Sequence, residues 1–252
     1  MIQEERKNLI LQELNRTSVV KLEDLSERLR VSIDTVRRDL KALDRAGLVQ
    51  YIRGGAKAVQ DSLQFSHFSG RKIIHNELKR ETARKALQLI KRDDVIMLNS
   101  GTTTTILAEE IGRSGITCVL ITNNIAAAEA ASCNTTCRIH LIGGEWDSSE
   151  QSTWGSRCLR EAETYFPDIC FLAVNSLDSQ NGLTDFRFHE IPIMQIMAKN
   201  AWKTVAVMDS TKLNRLAKKQ VFPLMKTPLI LMDNQVTSED KQIYLRAGIR
   251  IE

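Results

Sequence analysis

The stretch that decides the reading of this chain is VSIDTVRRDL, residues 31–40. On a helical wheel, at about 100° per residue, Val36 and Leu40, continued by Leu43, fall on one narrow apolar stripe. Asp34, Arg38, Lys41 and Arg45 fall on the opposite side, with Thr35 and Arg37 on the flanks. Ser32 is a good N-cap, because its hydroxyl accepts from an amide of the first turn, and Gly47 is a stop signal. A helix through about Ala46 is therefore predicted, with a mainly basic face toward water. The adjacent guanidiniums of Arg37 and Arg38 repel each other and cost side-chain entropy if held. They are either a solvated face or aimed at an anion, and on charge alone the solvated face is the commoner case.

The flanks decide between these readings. Upstream, Leu9, Ile10 and Leu14 recur at helical spacing over residues 5–14. Leu22, Leu25 and Leu29 mark a second helix, with Glu23 and Asp24 in its first turn where the macrodipole favours acids. Val31-Ser32 makes the turn into the third helix. Downstream, LVQYIRGGAKAV (residues 48–59) reads as two short strands joined around Gly54-Gly55. Helix, helix, turn, helix, hairpin is the order of a winged helix-turn-helix, placed at residues 1–58. In that setting the basic helix is a recognition helix, whose N-terminal residues reach base edges while Arg and Lys grip phosphates. The candidate DNA-binding residues are Ser32, Asp34, Thr35, Arg37, Arg38, Lys41 and Arg45 on the helix, with Arg53 and Lys57 on the wing. Asp39 sits at the edge of the apolar stripe. An exposed carboxylate there would repel DNA, so it is expected to turn inward, with Arg6 as its partner.

Composition agrees. Of the net charge of +4, residues 1–60 carry 12 Lys/Arg against 9 Asp/Glu, or +3, and the remainder 23 against 22, or +1. A basic small domain on a near-neutral body points to an anionic polymer. No apolar run approaches the ~18 residues of a membrane span, and the first residues lack an apolar signal region, so a cytoplasmic protein is expected. Five cysteines in no regular framework fit a reducing compartment better than a disulfide scaffold. Cys133, Cys137 and His140 make a C-x3-C-x2-H spacing without a clear fourth ligand; no metal and no cofactor is expected.

Residues 59–74 read as a linker, in which Phe65 and Phe68 are candidates to pack. From about residue 75 to 252, apolar strands at 94–98, 117–122, 138–142, 169–174, 203–208 and 228–232 alternate with helix-like stretches. That pattern implies an α/β domain with a mostly parallel sheet covered on both faces. VIMLNSGTTTT (residues 95–105) runs from a strand into an apparent helix. A glycine there turns the chain tightly and exposes amides at a helix N-terminus, where a phosphate is stabilised. The bland reading is a Thr-capped helix, and neither G-x-x-x-x-G-K-[ST] nor G-x-G-x-x-G is present. Thr122-Asn123-Asn124, Gly143-Gly144-Glu145 and Asp209-Ser210-Thr211-Lys212 follow three further strands. In α/β sheets ligands bind outside the carboxyl ends of the strands, so four polar turns there favour a small phosphorylated ligand, with Lys212 as a point charge.

Arg6, Ile10, Leu14, Ser32, Thr35, Val36, Arg37, Arg38, Asp39 and Leu40 fill, by spacing and identity, the signature of the DeoR family of bacterial sugar-metabolism regulators, which the chain resembles. Lys21 departs from the usual Ser cap on the second helix, and Arg53 from a common His. The second half is similar to that family's effector domain, a fold related to ribose-phosphate isomerase and glucosamine-phosphate deaminase. The resemblance implies an effector pocket of Ser100, Gly101, Thr102, Thr103 and Thr104; Thr122, Asn123 and Asn124; Gly143, Gly144 and Glu145; and Lys212, with Asn175 and Glu190 at further matching positions. Asn99 stands where the family usually has Asp, and Leu213-Asn214-Arg215 replaces Phe-Gly-Arg. The expected function is a DNA-binding regulator, of repressor type in the family, acting as a homo-oligomer on half-sites. The alternative is a sugar-phosphate isomerase or deaminase with Glu145, Asp209 or Glu190 in acid–base work, although no catalytic pair is fixed by spacing.

Overall fold

A computed structural model describes residues 3–17, 19–58 and 68–252. The chain forms two compact units, residues 1–76 and 77–252.

The first unit is built from α1 (Gln3–Thr17), β1 (Val19–Lys21), α2 (Leu22–Leu29), α3 (Ile33–Arg45), β2 (Val49–Ile52), β3 (Gly55–Ala58) and α4 (Phe68–Ile73). Its core collects Ile10, Leu11 and Leu14 of α1, Leu22, Leu25 and Leu29 of α2, and Val36, Leu40 and Leu43 of α3. Leu9, expected in that stripe, is exposed, and Leu11 takes the inward position. The three strands form a sheet in the order β1-β3-β2. The wing turn is Arg53-Gly54, with Gly54 at φ +85, and Gly55 already belongs to β3, paired with Ile52. A side chain on Gly55 would stand 2.0 Å from the Val20 carbonyl oxygen of β1, so only glycine fits the middle strand there. Of the expected linker, residues 59–67, including Phe65, lie outside the described residues; Phe68 is buried at the start of α4.

The second unit carries one six-stranded sheet, all parallel, in the order β14-β12-β9-β4-β5-β6. These strands are β4 (Val95–Leu98), β5 (Cys118–Thr122), β6 (Cys137–Leu141), β9 (Ile169–Ala173), β12 (Lys203–Val207) and β14 (Leu229–Leu231), the six expected from the sequence. Helices α5 (Asn76–Leu87), α6 (Thr102–Ser114) and α7 (Ile125–Ala131) supply the apolar cluster on one face, with Ile96, Leu98, Leu120 and Phe171. On the other face α8 (Gly155–Ala162), α9 (Ile191–Asn200) and α10 (Ser238–Arg246) pack with Met97, Ile121, Cys170 and Leu172. Successive residues of a strand thus serve opposite layers, and the central strand β9 is buried throughout.

Two small antiparallel sheets ornament this frame: β7 (Glu145–Asp147) with β8 (Ser152–Trp154), and β11 (Gly182–Asp185) between β10 (Ser176–Asp178) and β13 (Lys219–Phe222). The chain winds outward through β4, β5 and β6, then returns to lay β9 beside β4 and continues outward through β12 and β14. The strand order therefore reverses between β4 and β9, and the crevice at their carboxyl ends is where such sheets bind ligands.

Candidate functional site

In the first unit, α3 begins as the sequence predicts. The Ser32 hydroxyl accepts from the Thr35 amide at 3.2 Å and lies 2.9 Å from the Thr35 hydroxyl. The helix ends with Gly47 at φ +69, its N–H donating to Asp44 O and that of Leu48 to Leu43 O, each at 2.9 Å. Asp39 is buried and accepts from Arg6 Nε at 2.8 Å, from Arg6 Nη2 at 3.4 Å and from Gln3 Nε2 at 3.3 Å. Asp39 is thereby turned inward and paired, while Asp34 stays exposed beside Arg37.

The neighbouring arginines divide their roles. Arg37 pairs with Asp34 one turn earlier, whereas Arg38, Lys41 and Arg45 stand exposed on one helix face, and no ion pair among the described residues engages them. Arg53 in the wing turn and Lys57 on β3 are also exposed.

In the second unit, the switch point is built around Asn99. Its Nδ2 donates to the Ala173 carbonyl at 3.0 Å and its Oδ1 accepts from the Ala173 amide at 2.8 Å, so one side chain extends the β4–β9 ladder past its last backbone pair. Asp in this place offers no donor to the Ala173 carbonyl, which explains in local terms why Asn serves here. Gly101 follows; a Cβ there would lie 2.4 Å from the Ala173 Cβ. The chain then enters α6 through four buried threonines, with no acid in the first turn. Thr104 donates to the carbonyls of Asn99 and Gly101, and Thr105 to Gly101, each at 2.8–2.9 Å. Among the described residues the buried Thr103 hydroxyl has no partner, and it lies beside first-turn amides that have no acceptor within the helix.

The neighbouring strand ends converge on this loop. After β5, Thr122 Oγ1 donates to Leu98 O at 2.7 Å, and Asn124 both caps α7, accepting from Ala127 N at 3.1 Å, and donates to Thr105 Oγ1 at 2.8 Å. Asn123 Nδ2 donates to Thr153 O at 2.9 Å and to Glu190 Oε2 at 3.2 Å, while its buried Oδ1 has no partner among the described residues. From β12, Lys212 reaches across to donate to the Val174 carbonyl at 3.2 Å, with Asp209 at 3.9 Å. Asn175, at the end of β9, donates its amide to Asp185 Oδ2 at 3.1 Å. Gly143, Gly144 and Glu145 are not drawn into this network. The Gly143 amide donates to Glu161 at 3.0 Å, Gly144 is confined by the Trp154 carbonyl 2.4 Å from where its Cβ would be, and Glu145 is exposed on β7.

Sequence reasoning passed over the residue that ties the site together. Arg187 is buried, with Nε and Nη2 forked onto Asp185 at 3.0 and 2.7 Å, Nη1 on the Ser100 carbonyl at 2.8 Å and Nη2 on the Ala173 carbonyl at 3.1 Å. Burial alone would disfavour its charge, but Asp185, and more weakly Glu150 and Glu190, hold it firmly protonated. It clamps the anion loop to the ends of β9 and β11. Glu190, also buried, accepts from Ser152 at 2.5 Å, and burial pushes its pKa up against the pull of Arg187, Ser152 and Asn123. His189, ring-packed on Trp154 at 5.5 Å, sets Nε2 at 3.2 Å from Asp147. The only sequence signal for this set was FRFHE (residues 186–190), charges inside an apolar stretch. Cys137 of the C-x3-C-x2-H spacing faces Cys118 on β5, and among the described residues no group of three or more His, Cys, Asp or Glu is gathered for a metal.

Two family models match the chain: the DeoR-like helix-turn-helix domain over residues 6–62 and the DeoR C-terminal sensor domain over residues 74–234. This chain belongs to the DeoR family. As a DeoR-family protein it is a DNA-binding transcriptional regulator, not an enzyme. It is 28% identical over 249 residues to the HTH-type transcriptional regulator GolR of Listeria innocua, covering 98% of this chain and 97% of that one. It is 28% identical over 218 residues to the glycerol-3-phosphate regulon repressor of Escherichia coli, covering 86% and 85%. Among solved structures, ribose 5-phosphate isomerase A of Methanocaldococcus jannaschii superposes on 55% of this DeoR-family chain and 54% of its own, with 20% identity and a TM-score of 0.41. Among the described residues of the regulator, no helix is long and apolar enough to cross a membrane.

Proposed function

We propose that this regulator represses a carbohydrate-utilisation operon, and that a phosphorylated sugar held at the β4–β9 switch point sets its affinity for the operator. The observation that carries the effector half is the buried Thr103 hydroxyl at the start of α6, without a partner among the described residues, in a loop where Gly101 has no room for a side chain. Buried polar groups in folded proteins are satisfied, so an orphan donor among free helix amides suits an anionic oxygen. Ser100, Thr102, Thr104 and Lys212 complete the phosphate side. Asn123, with its orphan Oδ1, and Glu190 face the sugar hydroxyls as acceptors, and Thr122, Asn124, Asn175 and Asp209 hold those groups in place. The name of the Escherichia coli relative, a repressor of a glycerol-3-phosphate regulon, supports a phosphorylated effector here.

On the DNA side, Arg38, Lys41 and Arg45 grip phosphates, Arg53 and Lys57 extend the contact along the wing, and Ser32, Asp34, Thr35 and Arg37 at the helix start face the bases. One winged domain reads few base pairs, so a cytoplasmic homo-oligomer engages repeated half-sites. Enrichment of bound duplexes from a random library, followed by anisotropy titrations over a salt series, tests this half. Arg38→Ala is expected to weaken binding to the enriched site and to flatten the slope of log K against log salt by about 0.9, the value for one phosphate contact. An unchanged slope removes Arg38 from the interface.

A further inference from the structure

The amino end of the parallel sheet carries chemistry that neither DNA nor effector binding uses. Cys118 opens β5 and Cys137 opens the edge strand β6, and the two are directly paired across the ladder. Their sulfurs are 3.4 Å apart, the Cys118 thiol donating to Cys137. A cavity of about 380 Å³, lined by both cysteines with Asp93, Thr136 and Arg138, lies against them. Cys118 is buried but Cys137 is only half-buried, so a small solute reaches the second sulfur first.

We propose that Cys118 and Cys137 form an oxidisable dithiol, a modification site at which a hydroperoxide converts two thiols into a disulfide between β5 and β6. The Cys137 thiolate attacks one peroxide oxygen; an S–O bond forms as the O–O bond breaks, and the departing hydroxide takes up the proton that the Cys137 thiol had released and leaves as water. Cys137 is now a sulfenic acid. The Cys118 sulfur attacks it, the S–O bond breaks, the thiol proton and the hydroxyl leave as a second water, and the S–S bond forms. Two electrons pass from the sulfurs to hydrogen peroxide, which becomes two waters.

The geometry suits each step. The hydrogen bond from Cys118 favours the thiolate of Cys137, holding its pKa below the usual thiol value, while donation and burial keep Cys118 protonated until it is needed. The sulfurs must close by about 1.4 Å, from 3.4 Å to the ~2.05 Å of a disulfide. β6 is bonded on one side only, so it is free to approach. The product staples together the strands whose far ends lead to Thr122-Asn123-Asn124 and Gly143-Gly144.

The test uses the full chain with the exposed Cys133 changed to serine, leaving four of its five cysteines. After hydrogen peroxide treatment, thiol titration in denaturant is expected to show a loss of two thiols, recovered with dithiothreitol. Intact mass should fall by two hydrogens. Cleavage after Arg113, Glu129 and Arg138 should yield peptides 114–129 and 130–138 joined. In Cys118→Ser the joined peptides should vanish and dimedone should label Cys137 instead. Thiols that all survive peroxide, oxygen added at Cys137 of the Cys133→Ser chain without a joined peptide, or linkage through Cys158 or Cys170 would each overturn the proposal.

Discussion

Arg6 and Asp39 lie 33 positions apart in sequence and meet at 2.8 Å, with the carboxylate only 1% exposed. Truncating Arg6 leaves a buried charge with Gln3 as its remaining partner among the described residues, a loss of about 3 kcal/mol. Urea unfolding of Arg6→Ala, Asp39→Ala and the double variant should show a coupling of at least ~1 kcal/mol, and additive effects would remove the pair from the account. Glu190 makes a prediction in pH. Its folded-state pKa is raised, first by burial, so its contribution to stability is full below the unfolded carboxyl value and is lost as pH rises through the folded one. Gln at 190 does not titrate. The melting temperature of Glu190→Gln minus that of the wild type should therefore increase from acid toward neutral pH; a flat difference would mean that Glu190 titrates normally. The Arg6–Asp39 pair was legible because a wheel placed Asp39 at the edge of the apolar stripe. Arg187 and Asp185 were not, because a buried ion pair two residues apart has the same sequence signature as a solvated turn.

At the level of elements, the long periodic segments were legible and the short, non-local ones were not. All six parallel strands could be placed to within a residue or two because each is an apolar run of strand length flanked by polar turns. β1 was missed: Val19–Lys21 is three residues long and pairs with β3 more than thirty positions away, leaving no local period. The β7–β8 and β10–β11 pieces are local hairpins of strands only three or four residues long, too short to show a period, and β13 joins β11 from more than thirty positions away; together they deliver Ser152 and Asp185 to the site. β1 also runs directly into α2, which makes Lys21 the N-cap, in extended conformation and without a side-chain hydrogen bond. Lys21→Ser should let a hydroxyl accept from the first turn and stabilise the DNA-binding unit by about 1 kcal/mol in urea unfolding. No gain would indicate that the β1 pairing prevents the serine from capping.

For the whole molecule, the proposed function is a linkage between a basic helix in one unit and a candidate anion loop in the other. An effector shifts DNA affinity only through its differential affinity for the DNA-competent and DNA-incompetent arrangements, typically by about 1–3 kcal/mol, or roughly 5–150-fold. Asn99 and the Arg187 clamp hold the loop at the sheet's switch point, and Lys212 supplies a cation beside it. The most direct measurement is an anisotropy titration of the enriched duplex with a panel of sugar phosphates and their unphosphorylated parents, on the wild type and on Lys212→Ala. At least one sugar phosphate should change wild-type affinity by 5-fold or more, its parent sugar should not, and Lys212→Ala should bind DNA normally while losing the response. A duplex affinity indifferent to every phosphorylated sugar, or shifted equally by a parent sugar, would contradict the account.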